Sequence, residues 1–392
     1  MCGNKWSQHF SREVPFEATR FFLFLDTRRW FDLSTQQRLA YLDRIRAVAI
    51  ICVVINHAFE IVCPMSVEHL GEMYLKARTY YIAGFTLGRM GVPLFFLLTG
   101  YLLLSRDFTE EGVGRFYKHN FIPLLLIWEI WILIYQLFLS VFYSQAFDFV
   151  SYFHRSLFLK HAGLPHTWYM PVILGIYLFI PFVSRGLKGI NTRCLFVLLL
   201  LVYFHYFFTP SIPIFFNTAL SGQLDLSFSG GTYGLYLVLG YSLAKFRKQI
   251  DLWLSKRISW LVLIFLLSFS YGITVLAQLY SFSMLNGYAV WYDFFTMPIM
   301  GVSLFLLLKK LDVPSLQWIE NKIAICSFGI FLIHEPVLLV LNRYLKSQSS
   351  NSIKTAVLFI CTFSISYCLV RVSALIPRLS ILFLIKGQIN RR

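Results

Sequence analysis

A chain of 392 residues that is 57% hydrophobic and only 14% charged is too apolar to cover itself with polar surface, since soluble domains carry about 25% charged residues. Its 35 Lys and Arg against 19 Asp and Glu give a formal charge of +16. These basic residues punctuate apolar runs, which argues against a nucleic-acid partner and for membrane orientation signals and sites for anionic lipid or cofactor.

The first 40 residues mix aromatic and basic side chains, as in FFLFLDTRRWF. They read as a cytoplasmic N-terminal extension, either an interfacial amphipathic helix or a loose tail. The FFLFL stretch is too short for a cleavable signal peptide and runs into Arg28 and Arg29. Residues 41–380 then predict an all-α, polytopic membrane domain with about ten transmembrane helices, because a bilayer core about 30 Å thick needs roughly 20 apolar helical residues. The runs fall at about 43–63, 82–104, 121–143, 167–184, 194–209, 228–244, 258–279, 290–308, 324–344 and 354–376. Residues 381–392 read as a basic cytoplasmic tail. Of the 35 Lys and Arg, 27 lie in alternate connections or in the termini, seven lie in the opposite connections, and Arg89 stands inside a span. That bias predicts both termini in the cytoplasm and a multi-pass protein of the plasma (inner) membrane. Seven cysteines, most of them in or beside apolar runs and none in Cys-x-x-Cys spacing, predict neither a disulfide framework nor a zinc site.

Charges inside a span cost several kcal/mol, so each one is a functional candidate. They are His57, Arg89, Glu129, His205, Asp293, His334 and Glu335. In the first span Arg46 and His57 are eleven residues apart, three turns plus roughly 20°, so they share a helix face about 16 Å apart while Arg44 points nearly the other way. The second span carries Arg89 at a depth similar to that of His57, among Gly88, Gly91 and Pro93, which are read as loosening the helix. A cation and an imidazole at one depth suggest a reaction centre. The alternatives are a packing histidine and an arginine that pairs with Glu129 or reaches outward to water. His166, Trp168 and Tyr169 open the fourth span, and His334 and Glu335 precede Pro336 in the ninth, where a helix break would expose polar backbone. His154, His161 and His166 share one outer loop, at a spacing that matches no well-defined metal site.

Four landmarks occur in order: Arg46 followed by His57, the segment RMGVPLFFLLTGYLL, the segment HTWY with GIYLFIP, and SFGIFLIHEP. Together, over about residues 41–376, they resemble the acyltransferase-3 family of membrane O-acyltransferases, most nearly its shorter bacterial members such as those acetylating enterobacterial common antigen. The resemblance implies transfer of an acyl group, usually acetyl and sometimes succinyl, from cytoplasmic acyl-CoA to a hydroxyl of a cell-envelope glycan or lipid-linked saccharide. His57 would serve as base and Arg89 as stabiliser of the developing oxyanion, with Arg46 binding the donor's phosphates and His166, His334 and Glu335 as substrate-side candidates. No metal is expected. Phe331 stands where the family usually has Tyr. A flippase or secondary transporter is the rival reading, disfavoured because no matched pair of Gly/Pro-broken helices recurs in the two halves.

Overall fold

The computed structural model describes residues 39–71, 73–216, 225, 227–284, 289–345 and 351–385. The expected N-terminal extension lies outside these residues except for its last two, and so does the tail beyond residue 385. Among the described residues the fold is all helical, with no strand.

Eight helices are long and apolar enough to cross a membrane: α1 (Ala40–Val62), α2 (Leu75–Leu104), α3 (Glu110–Phe142), α4 (Pro165–Gly189), α5 (Thr192–Phe216), α7 (Ile258–Ser283), α9 (Pro314–Tyr344) and α10 (Asn351–Ser373). The protein is therefore a multi-pass membrane protein. Two further helices, α6 (Gly231–Lys245) and α8 (Thr296–Lys310), have 15 residues each. At 1.5 Å per residue they extend only about 22 Å, less than the hydrocarbon thickness. They match the sixth and eighth apolar runs, whose first residues are not α-helical.

The reason α8 starts late is visible in its lead-in, where Trp291–Phe295 form turns and Pro298 sits in the first helical turn. Gln278 on α7 accepts from the backbone N–H groups of Ala289 and Val290 through one oxygen, at 3.1 and 2.9 Å. The Ser211 hydroxyl accepts from Phe295 N–H at 3.1 Å, and the Tyr236 and Tyr203 hydroxyls donate to the carbonyls of Tyr292 and Phe295 at 2.7 and 2.8 Å. Irregular backbone at membrane depth survives only where protein supplies its hydrogen bonds, and here three helices supply them.

α1 lies at the centre, against α2, α8, α9 and α10. Its contact with α2 depends on glycine. A Cβ at Gly88 would collide with the backbone of Asn56, and one at Gly91 would sit 2.5 Å from the Ala49 carbonyl. These glycines therefore serve close helix approach, the small-residue packing of membrane interfaces, and the α-helix is interrupted between them by a single turn residue, Met90. Asn56 seals the seam by donating to the Phe85 carbonyl at 3.3 Å. The periphery is apolar and open to lipid, as with Phe196, Leu200 and Phe204 on α5 and Leu261, Phe265 and Leu276 on α7.

The basic connections gather at one end. Lys188 pairs with Asp107, Lys245 donates to the Ile190 carbonyl at 3.3 Å, and Lys310 donates to the Lys256 carbonyl at 2.9 Å. Arg343 and Arg155 lie at the other end, beside Phe142 and Gln136 respectively. Residues 379–385, at the expected junction with the tail, pack on α3. There the Trp131 indole donates to the Leu382 carbonyl at 2.9 Å, with the Phe383 ring 5.5 Å from it.

Candidate active site in the transmembrane cavity

A cavity of about 1950 Å³ runs inside the bundle. One stripe of α1 lines it: Leu39, Leu42, Asp43, Arg46, Val53, Asn56, His57 and Glu60. That stripe follows the helical period and spans about 30 Å along the axis. The basic end of the cavity is bordered by Arg46, Arg106, Arg115, His119 and Arg247, and the other end by Glu60, Arg89, Trp168, Tyr233, Trp291 and Tyr292. Arg46 is held by Asp43, one turn back, at 3.5 Å, and Asp43 in turn accepts from Asn321 of α9 at 3.3 Å.

At the far end three histidines meet. The His57 ring lies 5.2 Å from that of His334 and 6.4 Å from that of His166, and the last two are 4.9 Å apart. Their hydrogen bonds assign their tautomers. His57 Nδ1 lies 3.1 Å from Glu60 Oε2. An ionised carboxylate can only accept, so Nδ1 carries the hydrogen and Nε2 keeps a free lone pair. His334 Nδ1 contacts the carbonyls of Phe331 and Ile330 at 2.8 and 3.1 Å, which likewise leaves its Nε2 a lone pair. His166 Nε2 meets the Tyr135 hydroxyl at 3.1 Å, while that hydroxyl donates to the Leu332 carbonyl at 2.7 Å. The Leu332 carbonyl is available because residue 336, four places on, is proline and offers it no N–H. α9 thus stays helical through Pro336, and Tyr135 takes up the polar group that the proline exposes.

Arg89, 5% exposed, is fixed by aromatic faces: its guanidinium lies 4.1 Å from the Trp291 ring centre and 4.7 Å from those of Tyr292 and Phe85. Each such contact holds a cation by about 0.5–2 kcal/mol and leaves the planar group aligned. Its charge is close enough to act on both His57 and Glu60. Trp168, Tyr233 and Tyr292 continue the aromatic wall, with Trp168 at 5.7 and 5.6 Å from the other two.

An imidazole with a carboxylate at one nitrogen, beside a cation held by aromatic rings at the end of a long cavity, can take up a proton next to a site that favours negative charge. Compared with models of known families, residues 39–371 match acyltransferase-3, described as an acyltransferase domain. The chain belongs to the acyltransferase-3 family. It is an acyltransferase of the membrane. No curated protein and no solved structure gives a significant match.

In this acyltransferase His57, Arg89, Arg46 and His166 all border the one cavity. His334 and Glu335 do not line it and lie behind His57, 0% and 4% exposed. His334 Nε2 and Glu335 Oε2 have no hydrogen-bond partner among the described residues. Glu335 Oε2 stands 3.6 Å from His57 Nδ1 and 3.9 Å from His334 Nε2, and His57, His334 and Glu335 together could hold a metal ion. Glu129, His205 and Asp293 do not line the cavity. The outer-loop trio separates: His166 turns into the bundle, while His161 Nδ1 accepts from Gly163 N–H at 3.1 Å in the loop.

Glu60, which touches His57 and lines the cavity, is the candidate site residue that reading the sequence overlooked. The signal was its His-x-x-Glu spacing, which sets the two side chains on one helix face. The aromatic clamp on Arg89 was less accessible, because Trp291 and Tyr292 also fit ordinary interfacial anchors.

Proposed function

We propose that the protein moves an acyl group, acetyl in the first instance, from cytoplasmic acyl-CoA to a hydroxyl of a cell-envelope glycan or lipid-linked saccharide, within the plasma (inner) membrane. The observation that carries this reading is the single cavity joining a basic mouth at Arg46 to His57 and Arg89. The basic mouth suits the phosphates of coenzyme A, and the 27-to-seven distribution of Lys and Arg favours a cytoplasmic side for that mouth and for both termini of a ten-helix domain. The acceptor enters from the opposite end, where Trp168, Tyr233 and Tyr292 offer ring faces to a sugar. The four sequence landmarks favour an envelope glycan of the kind acetylated by the shorter bacterial members of the family.

The reaction needs little beyond positioning, because a thioester is already activated. His57 Nε2 takes the proton of the acceptor hydroxyl, whose oxygen attacks the thioester carbon. Arg89 stabilises the negative oxygen of the tetrahedral intermediate. The C–S bond then breaks and His57 returns its proton to the leaving thiolate, giving an O-acyl ester and free coenzyme A. Glu60 keeps the imidazole in the tautomer this step requires, as the carboxylate does in a serine-protease triad.

The test is incubation of the purified protein with acetyl-CoA and isolated envelope glycans while free thiol is followed. Thiol release that depends on the glycan, with acetyl recovered on it, is expected. Release with no acceptor dependence, or none with any glycan fraction, would overturn the proposal.

A further inference from the structure

We propose that His57, His334 and Glu335 form a binding site for a divalent metal of the zinc class, and that occupancy switches off the base. The site goes beyond the transfer reaction, which requires no metal; only the switching rests on the reading of His57 as base.

Two buried atoms beside His57 have no hydrogen-bond partner among the described residues. His334 Nε2 is a lone pair, because the carbonyls of Phe331 and Ile330 hold the hydrogen on Nδ1. Glu335 Oε2 is likewise buried without a hydrogen-bond partner among the described residues. Leaving such atoms unsatisfied in a membrane interior is costly, and both are aimed at the same point as His57. The ligand atoms of the three residues all lie within 4.8 Å of one another. Two of the separations are 3.6 and 3.9 Å, close to the roughly 3.4 Å edge of a tetrahedron of ligands 2.0–2.1 Å from zinc.

The donor set agrees with the geometry. Two imidazoles and one carboxylate, with a fourth position left for water, is a recurrent zinc arrangement, and imidazole favours zinc over magnesium or calcium. The outer contacts match as well, since a metal-bound histidine usually donates its other ring N–H to a carbonyl, as His334 already does.

The consequence for His57 follows from proton bookkeeping. It is Nδ1 that faces Glu335. A metal on Nδ1 moves the ring's one hydrogen from Nδ1 to Nε2, in exchange for the Glu60 contact. Nε2 then has no lone pair, and His57 cannot accept the acceptor's proton. The metal-bound and base forms therefore exclude each other.

The test uses the full-length protein in detergent, stripped with a chelator and titrated with Zn²⁺ in the absence of substrate, then with Co²⁺ as an optical probe. One Zn²⁺ per chain and the intense visible bands of four-coordinate Co²⁺ are expected. His334→Gln and Glu335→Gln should each weaken binding by more than about 100-fold, beyond what loss of an outer contact causes. Should either variant misfold, the wild-type Co²⁺ spectrum still decides: weak six-coordinate bands, or no saturable uptake, would refute the site. Binding that is indifferent to both substitutions would refute it too. For the switch, stoichiometric Zn²⁺ should abolish turnover and chelator should restore it, while full turnover by the zinc-loaded protein would overturn that part. Turnover of His57→Ala, measured separately in chelator, tests the base itself, so the failure of either idea is read from a different measurement.

Discussion

Two arginines two residues apart on α1 meet opposite fates. The side chain of Arg44 is 4% exposed and committed to the frame: Nε donates to Glu320 at 2.7 Å, and Nη1 donates to the carbonyls of Leu308 and Leu311. It caps the end of α8 and ties it to α9. Arg46, 23% exposed, borders the cavity with Nη1 3.5 Å from Asp43. The 200° between them turns one towards the protein and the other towards the cavity. A buried charge whose donors are taken up by carbonyls and a carboxylate is part of the frame, whereas one aimed into a cavity is available to a ligand. Arg89 likewise borders the cavity, where the rings of Trp291, Tyr292 and Phe85 hold it.

This contrast can be broken by substitution. The largest effect on turnover is expected from His57→Ala, which should insert normally yet lose roughly 10²- to 10⁴-fold in kcat, the usual contribution of a positioned base. Near wild-type turnover in a correctly inserted variant would remove His57 from the chemistry and direct attention to His166. Arg89→Ala should follow, with kcat reduced roughly 10²- to 10³-fold and KM for the donor little changed, since an oxyanion contact exists only in the transition state. A rise confined to KM would instead make Arg89 a substrate-binding group. For Arg46→Ala the expectation is reversed: KM for acyl-CoA rises by about tenfold, as for loss of one charge-assisted contact, with kcat nearly unchanged. An unaltered donor KM at normal expression would leave Arg46 as an orientation signal alone. The smallest effect on turnover per folded molecule belongs to Arg44→Ala. Its damage should appear in melting temperature, because Glu320 and two carbonyls lose their donor, a loss of roughly 3 kcal/mol or more for a buried pair. A stable Arg44→Ala protein with a raised donor KM would erase the distinction between the two arginines.

Much of the frame was legible in the chain. Long apolar runs must be helices in a membrane, since no other open structure satisfies the backbone there, and eight runs became long helices. The face shared by Arg46 and His57 was also legible, because eleven residues of helix fix their relative direction whatever surrounds them. The sixth and eighth runs were harder, because hydropathy does not distinguish helix from irregular backbone whose N–H and carbonyl groups are met by Gln278, Ser211 and Tyr236. The glycines were half legible. Beside Arg89 they suggested a loosened helix, and the α-helix does break at Met90, but only the position of Asn56 and Ala49 on α1 shows that they also allow close contact.

By itself, then, the sequence determined what depends on local hydrophobicity, charge placement and helical angle: a membrane protein of many helices, a basic side, a cation and an imidazole on the α1 cavity face, and another buried cation in the next helix. Tertiary structure alone decided which of these meet. His334 and Glu335 reach His57 because α9 crosses α1 nearly 280 residues further along the chain, and Trp291 and Tyr292 reach Arg89 because a non-helical turn is held in place by α5, α6 and α7. Such meetings arise from packing between distant helices, which sequence periodicity cannot encode, and with them come the tautomers of three histidines and the aim of one guanidinium.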